Sequence, residues 1–93
     1  MSIKFEIEHI VSSKKHGHYV IARILNPGQK FFVPEKSFLN RVEIKSGIYS
    51  PRALDETGAP RFDLFIFHPK IKTDIQQFEV HMIVELIQEK DIQ

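Results

Sequence analysis

The chain is 93 residues long, enough for one domain with a single modest core, and 42% of it is apolar. Its 13 Lys and Arg stand against 12 Asp and Glu, far from the strongly basic balance of a dedicated nucleic-acid binder. No Cys is present, which excludes a disulfide framework and thiolate chemistry and points to a soluble, cytoplasmic protein.

The N-terminal run Met-Ser-Ile-Lys-Phe-Glu already alternates like a strand, so no signal peptide is expected. The alternation continues to Val11: Ile3, Phe5, Ile7, His9 and Val11 form one face, with Lys4, Glu6, Glu8 and Ile10 on the other. After a polar loop over 12–18, a second strand runs from Tyr19 to Leu25 with Val20, Ala22 and Ile24 inward. Asn26-Pro27-Gly28 ends it with the chemistry of a type II turn, Pro then Gly at the central positions. A third strand is read from Lys30 to Val33, stopped by Pro34, and residues 35–40 are a helical turn or a loop.

Arg41 to Tyr49 reads as the fourth strand, with Val42, Ile44, Ser46 and Ile48 on one side. The longest loop follows, Ser50 to Pro60, punctuated by Pro51, Gly58 and Pro60. Phe62 to His68 is apolar on both sides apart from Asp63 and His68, the mark of a strand covered on two faces. Beyond Pro69, a connector over 70–78 offers Ile71, Ile75 and Phe78 to the underside of the core. The last strand, Val80 to Ile87, sets Val80, Met82, Val84 and Leu86 inward, and Gln88–Gln93 is read as a frayed tail. No apolar run reaches the roughly 18 residues that span a bilayer, so no membrane partner is expected.

Six short strands divided by turn residues predict an all-β fold, a small closed or nearly closed barrel in one domain over 1–93. Closure is favoured because it removes the exposed edges of a small open sheet.

Candidate chemistry is sparse. His16 and His18 share a face of an extended segment, but no Cys or carboxylate completes a tetrahedral set, and His9, His68 and His81 are scattered over three strands. No serine sits in a Gly-x-Ser-x-Gly elbow, and no Gly-x4-Gly-Lys-Ser/Thr loop is present. Asp55, Glu56 and Asp63 are the carboxylates placed where a catalytic pair would sit, in or beside the long loop. Lys14 and Lys15 gather with His16 and His18 in the first loop, Lys70 and Lys72 lie in the connector, and Arg52 and Arg61 bracket the long loop. Small barrels bind single strands with such a basic groove and stacked aromatics, for which Phe31, Phe32 or Tyr49 would serve.

Residues 3–10 and 17–24, Ile-Lys-Phe-Glu-Ile-Glu-His-Ile and Gly-His-Tyr-Val-Ile-Ala-Arg-Ile, form a hairpin that resembles a known one. It is similar to the opening of the second, β-barrel domain of Tu-type translation elongation factors, an alternating strand followed by Gly-Arg-Gly and, further on, Gly-Arg. Gly17, Val20 and Arg23 match, whereas Lys15, His16 and Ala22 replace a Gly, an Arg and a Gly. Phe65-Ile66-Phe67 and Val84-Glu85-Leu86 resemble that domain's final strands in outline. The resemblance implies a free-standing elongation-factor-like barrel without the GTPase domain, so a fold and not GTP hydrolysis.

The function expected is a non-enzymatic binding module without cofactor or metal, contacting a protein or ribonucleoprotein partner through loops 12–18 and 50–61. Arg52, Arg61, Lys14 and Lys15 are its expected contact residues. The alternative is an oligonucleotide-binding type of barrel that takes single-stranded nucleic acid, a reading the net charge does not favour. A small enzyme built on Asp55, Glu56 and Asp63 is the third reading, and it requires a concave pocket at that loop.

Overall fold

The computed structural model describes residues 2–88. Strand β1 spans Ile3–Ser13, β2 Gly17–Ile24, β3 Ser37–Leu39, β4 Val42–Ile44, β5 Leu64–Phe67 and β6 Ile83–Gln88, and a 3₁₀ helix over Lys72–Gln77 precedes β6. They form one six-stranded sheet in the order β4-β3-β6-β1-β2-β5, antiparallel at every neighbour. No helix among the described residues is long and apolar enough to cross a membrane.

The alternation of β1 does what its period requires. Ile3, Phe5 and Ile7 are buried while Lys4 is exposed, and Val20, Ala22 and Ile24 of β2 are buried opposite them. Phe5 is fully buried, with the rings of Phe67, Phe31 and Phe65 edge-on to it at 5.0, 5.4 and 6.1 Å. Edge-to-face packing of this kind adds about 0.5–1.5 kcal/mol per pair beyond area burial. Leu39, Ile44, Val84 and Leu86 complete the wall, and Ile75 and Phe78 cover the core from the 3₁₀ helix and the residue after it. Ile71, expected beside them, is exposed.

One residue breaks the period. Ile7 pairs with Ala22, but His9 pairs with Ile21, so Glu8 is the extra residue of a β-bulge. The bulge reverses the parity: His9, placed inward by simple alternation, is exposed, and Ile10 packs against the core opposite Val20.

Three further expectations are corrected. Lys30 to Val33 is not a strand; Phe31 and Val33 reach the core from irregular chain, and the third strand is Ser37–Leu39 instead. The pairing residues lie there because β3 must face β6, with Leu39 opposite Leu86 and Phe38 opposite Ile87. The fourth strand stops at Ile44, because Gly47 turns the chain at φ 104° and Tyr49 packs over it, where an added Cβ would lie 3.0 Å from its hydroxyl. The last strand begins at Ile83 because His81 takes φ 73°, outside the extended region, and Val80 is left exposed. Residues 89–93 of the expected frayed tail lie outside the described residues.

Of the closed or nearly closed barrel expected, the all-β class and six antiparallel strands are present, but the sheet is a curled half-barrel and does not close. No ladder joins edge strands β4 and β5; the isolated bridges Ile44↔Pro69 and Tyr49↔Ile66 span the seam. Lys45 N–H donates to the His68 carbonyl at 2.8 Å and Lys70 N–H to the Glu43 carbonyl at 3.0 Å. Ile44 and Pro69 are a non-hydrogen-bonded pair flanked by these two bonds, a position that tolerates proline, and Gly47 bends the chain beyond Lys45. Lys70 Nζ reinforces the seam with Glu43 at 2.9 Å and Glu35 at 3.1 Å.

Because Phe5 centres the aromatic cluster, Phe5→Ala is expected to cost about 3–5 kcal/mol in urea unfolding. A loss under about 1 kcal/mol would place the centre of the core elsewhere.

Candidate functional site: the arch over residues 50–63

The long loop is an ordered arch. Ala53 to Arg61 folds back on itself through the bridge Leu54↔Pro60, with Asp55 N–H donating to the Ala59 carbonyl at 2.8 Å and Arg61 N–H to the Ala53 carbonyl at 2.9 Å. Asp55 organises the tip: its Oδ1 accepts from Thr57 Oγ1 at 2.7 Å, Thr57 N–H at 2.9 Å and Ala59 N–H at 3.0 Å. Gly58 takes φ 86°, the left-handed geometry this turn needs. The base is tied to the sheet, since Ile24 N–H donates to the Asp63 carbonyl and Ile66 N–H to the Tyr49 carbonyl, both at 2.8 Å.

A chain of alternating charges holds the arch from the outer face. Arg61 grips Asp63 through Nε at 3.1 Å and Nη2 at 2.9 Å, and reaches Glu8 at 3.3 and 3.4 Å. Glu8 also meets Arg23 Nε at 3.3 Å, Arg23 meets Glu6 at 3.3 Å, and His81 Nδ1 lies 3.2 Å from Glu6. The bulge makes this possible, because the extra residue Glu8 is the one whose carboxylate serves both Arg61 and Arg23.

Two grooves flank the arch. One, of about 520 Å³, is lined mainly by Pro51, Leu54, Pro60 and Phe62 with Arg52 and Arg61. The other, of about 450 Å³, includes Ile24, Asp55 and Asp63, and shares Pro60, Arg61 and Phe62 with the first. Phe62 stands between them as a ridge, 84% exposed, and Leu54 is 65% exposed.

The sequence candidates are distributed unevenly over this geometry. Arg52 and Arg61 come together in one groove, but Arg61 is committed to Asp63 and Glu8, while Arg52 makes no ion pair among the described residues. Lys14 and Lys15 are exposed in the β1–β2 turn and line neither groove. Phe62, read as a doubly covered strand residue, is instead the most exposed large apolar side chain described, and Leu54 carried no sequence signal at all. Phe31 packs inward, while Phe32 and Tyr49 are exposed.

Asp55 and Asp63 line one groove, and Glu56 lies outside it. Hydrogen bonds from Thr57 hold the Asp55 carboxyl below its ordinary value, and those from Arg61 do the same for Asp63. Both are therefore kept ionised, whereas a general acid near neutral pH needs a raised pKa. His18 Nδ1 lies 2.6 Å from Ser12 Oγ across the first hairpin, and no group of three or more potential metal ligands forms among the described residues. His68 is half-buried between Tyr19 and Tyr49, ring centroids at 5.5 and 5.8 Å. Burial, then the charge of Lys45, lowers its pKa.

No family model, curated protein or solved structure matches this chain.

Two measurements check the geometry. Asp55→Ala is expected to remove protection of the Thr57 and Ala59 amides in hydrogen exchange while the β1–β2 amides keep theirs; unchanged protection would mean the tip needs no carboxylate. For His68, the unfolded chain binds its proton more readily, with the ordinary imidazole value of 6.5. Its contribution to stability is therefore full above about pH 6.5 and declines as pH falls through the lowered folded-state pKa. His68→Phe should flatten that part of a stability–pH profile, and a profile identical to the parent's would discard the assignment.

Proposed function

We propose that this chain is a non-enzymatic binding module, a cytoplasmic counterpart of the barrel domain it resembles, that takes an extended apolar protein segment on the arch. The observation that carries this reading is the exposure of Phe62 and Leu54 on a loop whose backbone is held at tip and base. Burying each against a partner is worth about 1.5–3 kcal/mol, and a rigid loop has little ordering entropy left to lose. Aromatic ridges beside Arg are the usual composition of interface centres. Arg52, which makes no ion pair among the described residues and lines the apolar groove, selects a carboxylate on the partner segment. Lys14 and Lys15 serve, on this reading, as peripheral contacts to a protein or ribonucleoprotein.

A second reading has the exposed Tyr49 and Phe32 stack on single-stranded nucleic acid, with Lys14, Lys15 and Arg52 on its phosphates. It is the weaker of the two because Asp55, Glu56 and Asp63 crowd the arch with negative charge.

Capture from a lysate of the native host, with and without nuclease, separates these. Leu54→Ser with Phe62→Ser leaves the core untouched and is expected to reduce the nuclease-resistant partner at least about tenfold, with Arg52→Ala having a smaller effect. Undiminished capture by the double variant would overturn the arch reading. Loss of all capture with nuclease would transfer the function to nucleic acid, and affinity should then fall steeply with salt.

A further inference from the structure

A third cavity, of about 440 Å³, shares no lining residue with the arch grooves. Its walls are Leu39, Val42, Phe78, Met82 and Ile87, and Arg41 stands on its rim. The size and the mostly apolar walls fit a small-molecule site rather than a packing gap.

The rim is held in place. Asn40 and Arg41 form the two-residue turn between β3 and β4, and Asn40 adopts φ 55°, which its short amide side chain tolerates. It is pinned to β6 twice: Asn40 N–H donates to the Glu85 carbonyl, and its Oδ1 accepts from Glu85 N–H, both at 2.9 Å. Arg41 follows directly, exposed and without a hydrogen bond or ion pair among the described residues. Arg23 and Arg61 are held by carboxylates, whereas Arg41, like Arg52, is in no ion pair among the described residues. Among the described residues, no Asp or Glu lines the cavity.

We infer that this cavity binds a small amphipathic monocarboxylate, with its apolar body between Phe78, Met82 and Val42 and its carboxylate on the Arg41 guanidinium. A planar guanidinium matches a carboxylate bidentately, and a single cation above apolar walls suits one negative charge better than a phosphate's two. Gln77 at the rim supplies an amide for the second carboxylate lone pairs. The inference is independent of the arch and stands if the protein-partner reading fails.

The test is an amide NMR titration with octanoate, with octanol as the neutral probe of equal length. Saturable shifts are expected at residues 39–42, 77–78, 82 and 87, with octanol binding at least about tenfold more weakly, the weight of a charge-assisted pair. Arg41→Gln should weaken octanoate by a similar factor, and Arg41→Lys should recover part of it. Equal affinity for octanol and octanoate would overturn the inference, as would the absence of saturable shifts at these amides. Shifts confined to Leu54 and Phe62 would overturn it too, since they would mark non-specific adsorption. If Arg41→Gln loses its dispersed spectrum, the octanol comparison on the unaltered chain decides.

Discussion

Every part of this fold depends on β1, and β1 depends on its bulge. The strand pairs with β6 through its first half and with β2 along most of its length, so it joins the β4-β3-β6 side of the sheet to the β2-β5 side. Two faces must be served by one run of eleven residues. Strict alternation would bury Ile3, Phe5 and Ile7, then His9, and would turn Ile10 to solvent. Inserting Glu8 as an unpaired residue resets the parity, so that His9 goes out and Ile10 goes in. On the outer face the same insertion brings one carboxylate to two guanidinium groups. Core and surface are thus adjusted by a single residue.

The seam obeys a different constraint. Pairing across the seam is confined to the bridge Ile44↔Pro69 with its two flanking hydrogen bonds and to Tyr49↔Ile66, and Gly47 turns the chain past Lys45. What holds the edges is a Lys70 ammonium between two carboxylates. Hydrogen bonds from Lys70, then Ser46, hold Glu35 below its ordinary value, while those to Glu43 and Glu35 raise Lys70. Such exposed pairs contribute little each and are screened by salt, so the seam relies more on the two backbone hydrogen bonds and on Ile44 packing beneath. An incomplete seam costs less here than in a flat sheet, because Tyr49 and Pro69 already cover the edges that an incoming strand would need.

How much of this was legible from the residues divides by range. The all-β class, the inward face of β1 as far as Ile7 and that of β2, and the burial of Ile75, Phe78, Val84 and Leu86 all follow from local period or from apolar residues between turns. Pairing across long separations does not. Ser37–Leu39 is too short and too polar to announce a strand, and it becomes one because Leu39 meets Leu86 across 47 positions of sequence, 86 less 39. The bulge was invisible for the same reason, since its signature is a shift against β2. At the arch, the Arg pair was legible as residues bracketing a loop, but the fate of each was not. Which guanidinium is spent depends on Glu8, far away in the chain.

That division explains why the exposed apolar ridge lies at the arch. A loop of this length is normally mobile, and mobile loops do not present fixed apolar side chains to water. Here Asp55 closes the tip, Arg61 and Asp63 brace the exit, and Glu8 ties the brace to β1. Two of the three carboxylates that looked like candidate chemistry, Asp55 and Asp63, hold the loop instead, and the held loop leaves Phe62 and Leu54 facing outward. An electrostatic surface would not need such bracing, because charge acts at a distance and tolerates motion. An apolar ridge does need it, since dispersion contacts are lost within a fraction of an ångström. The investment of four charged residues, Asp55, Arg61, Asp63 and Glu8, in holding one loop still therefore fits the proposed recognition by shape and apolar contact.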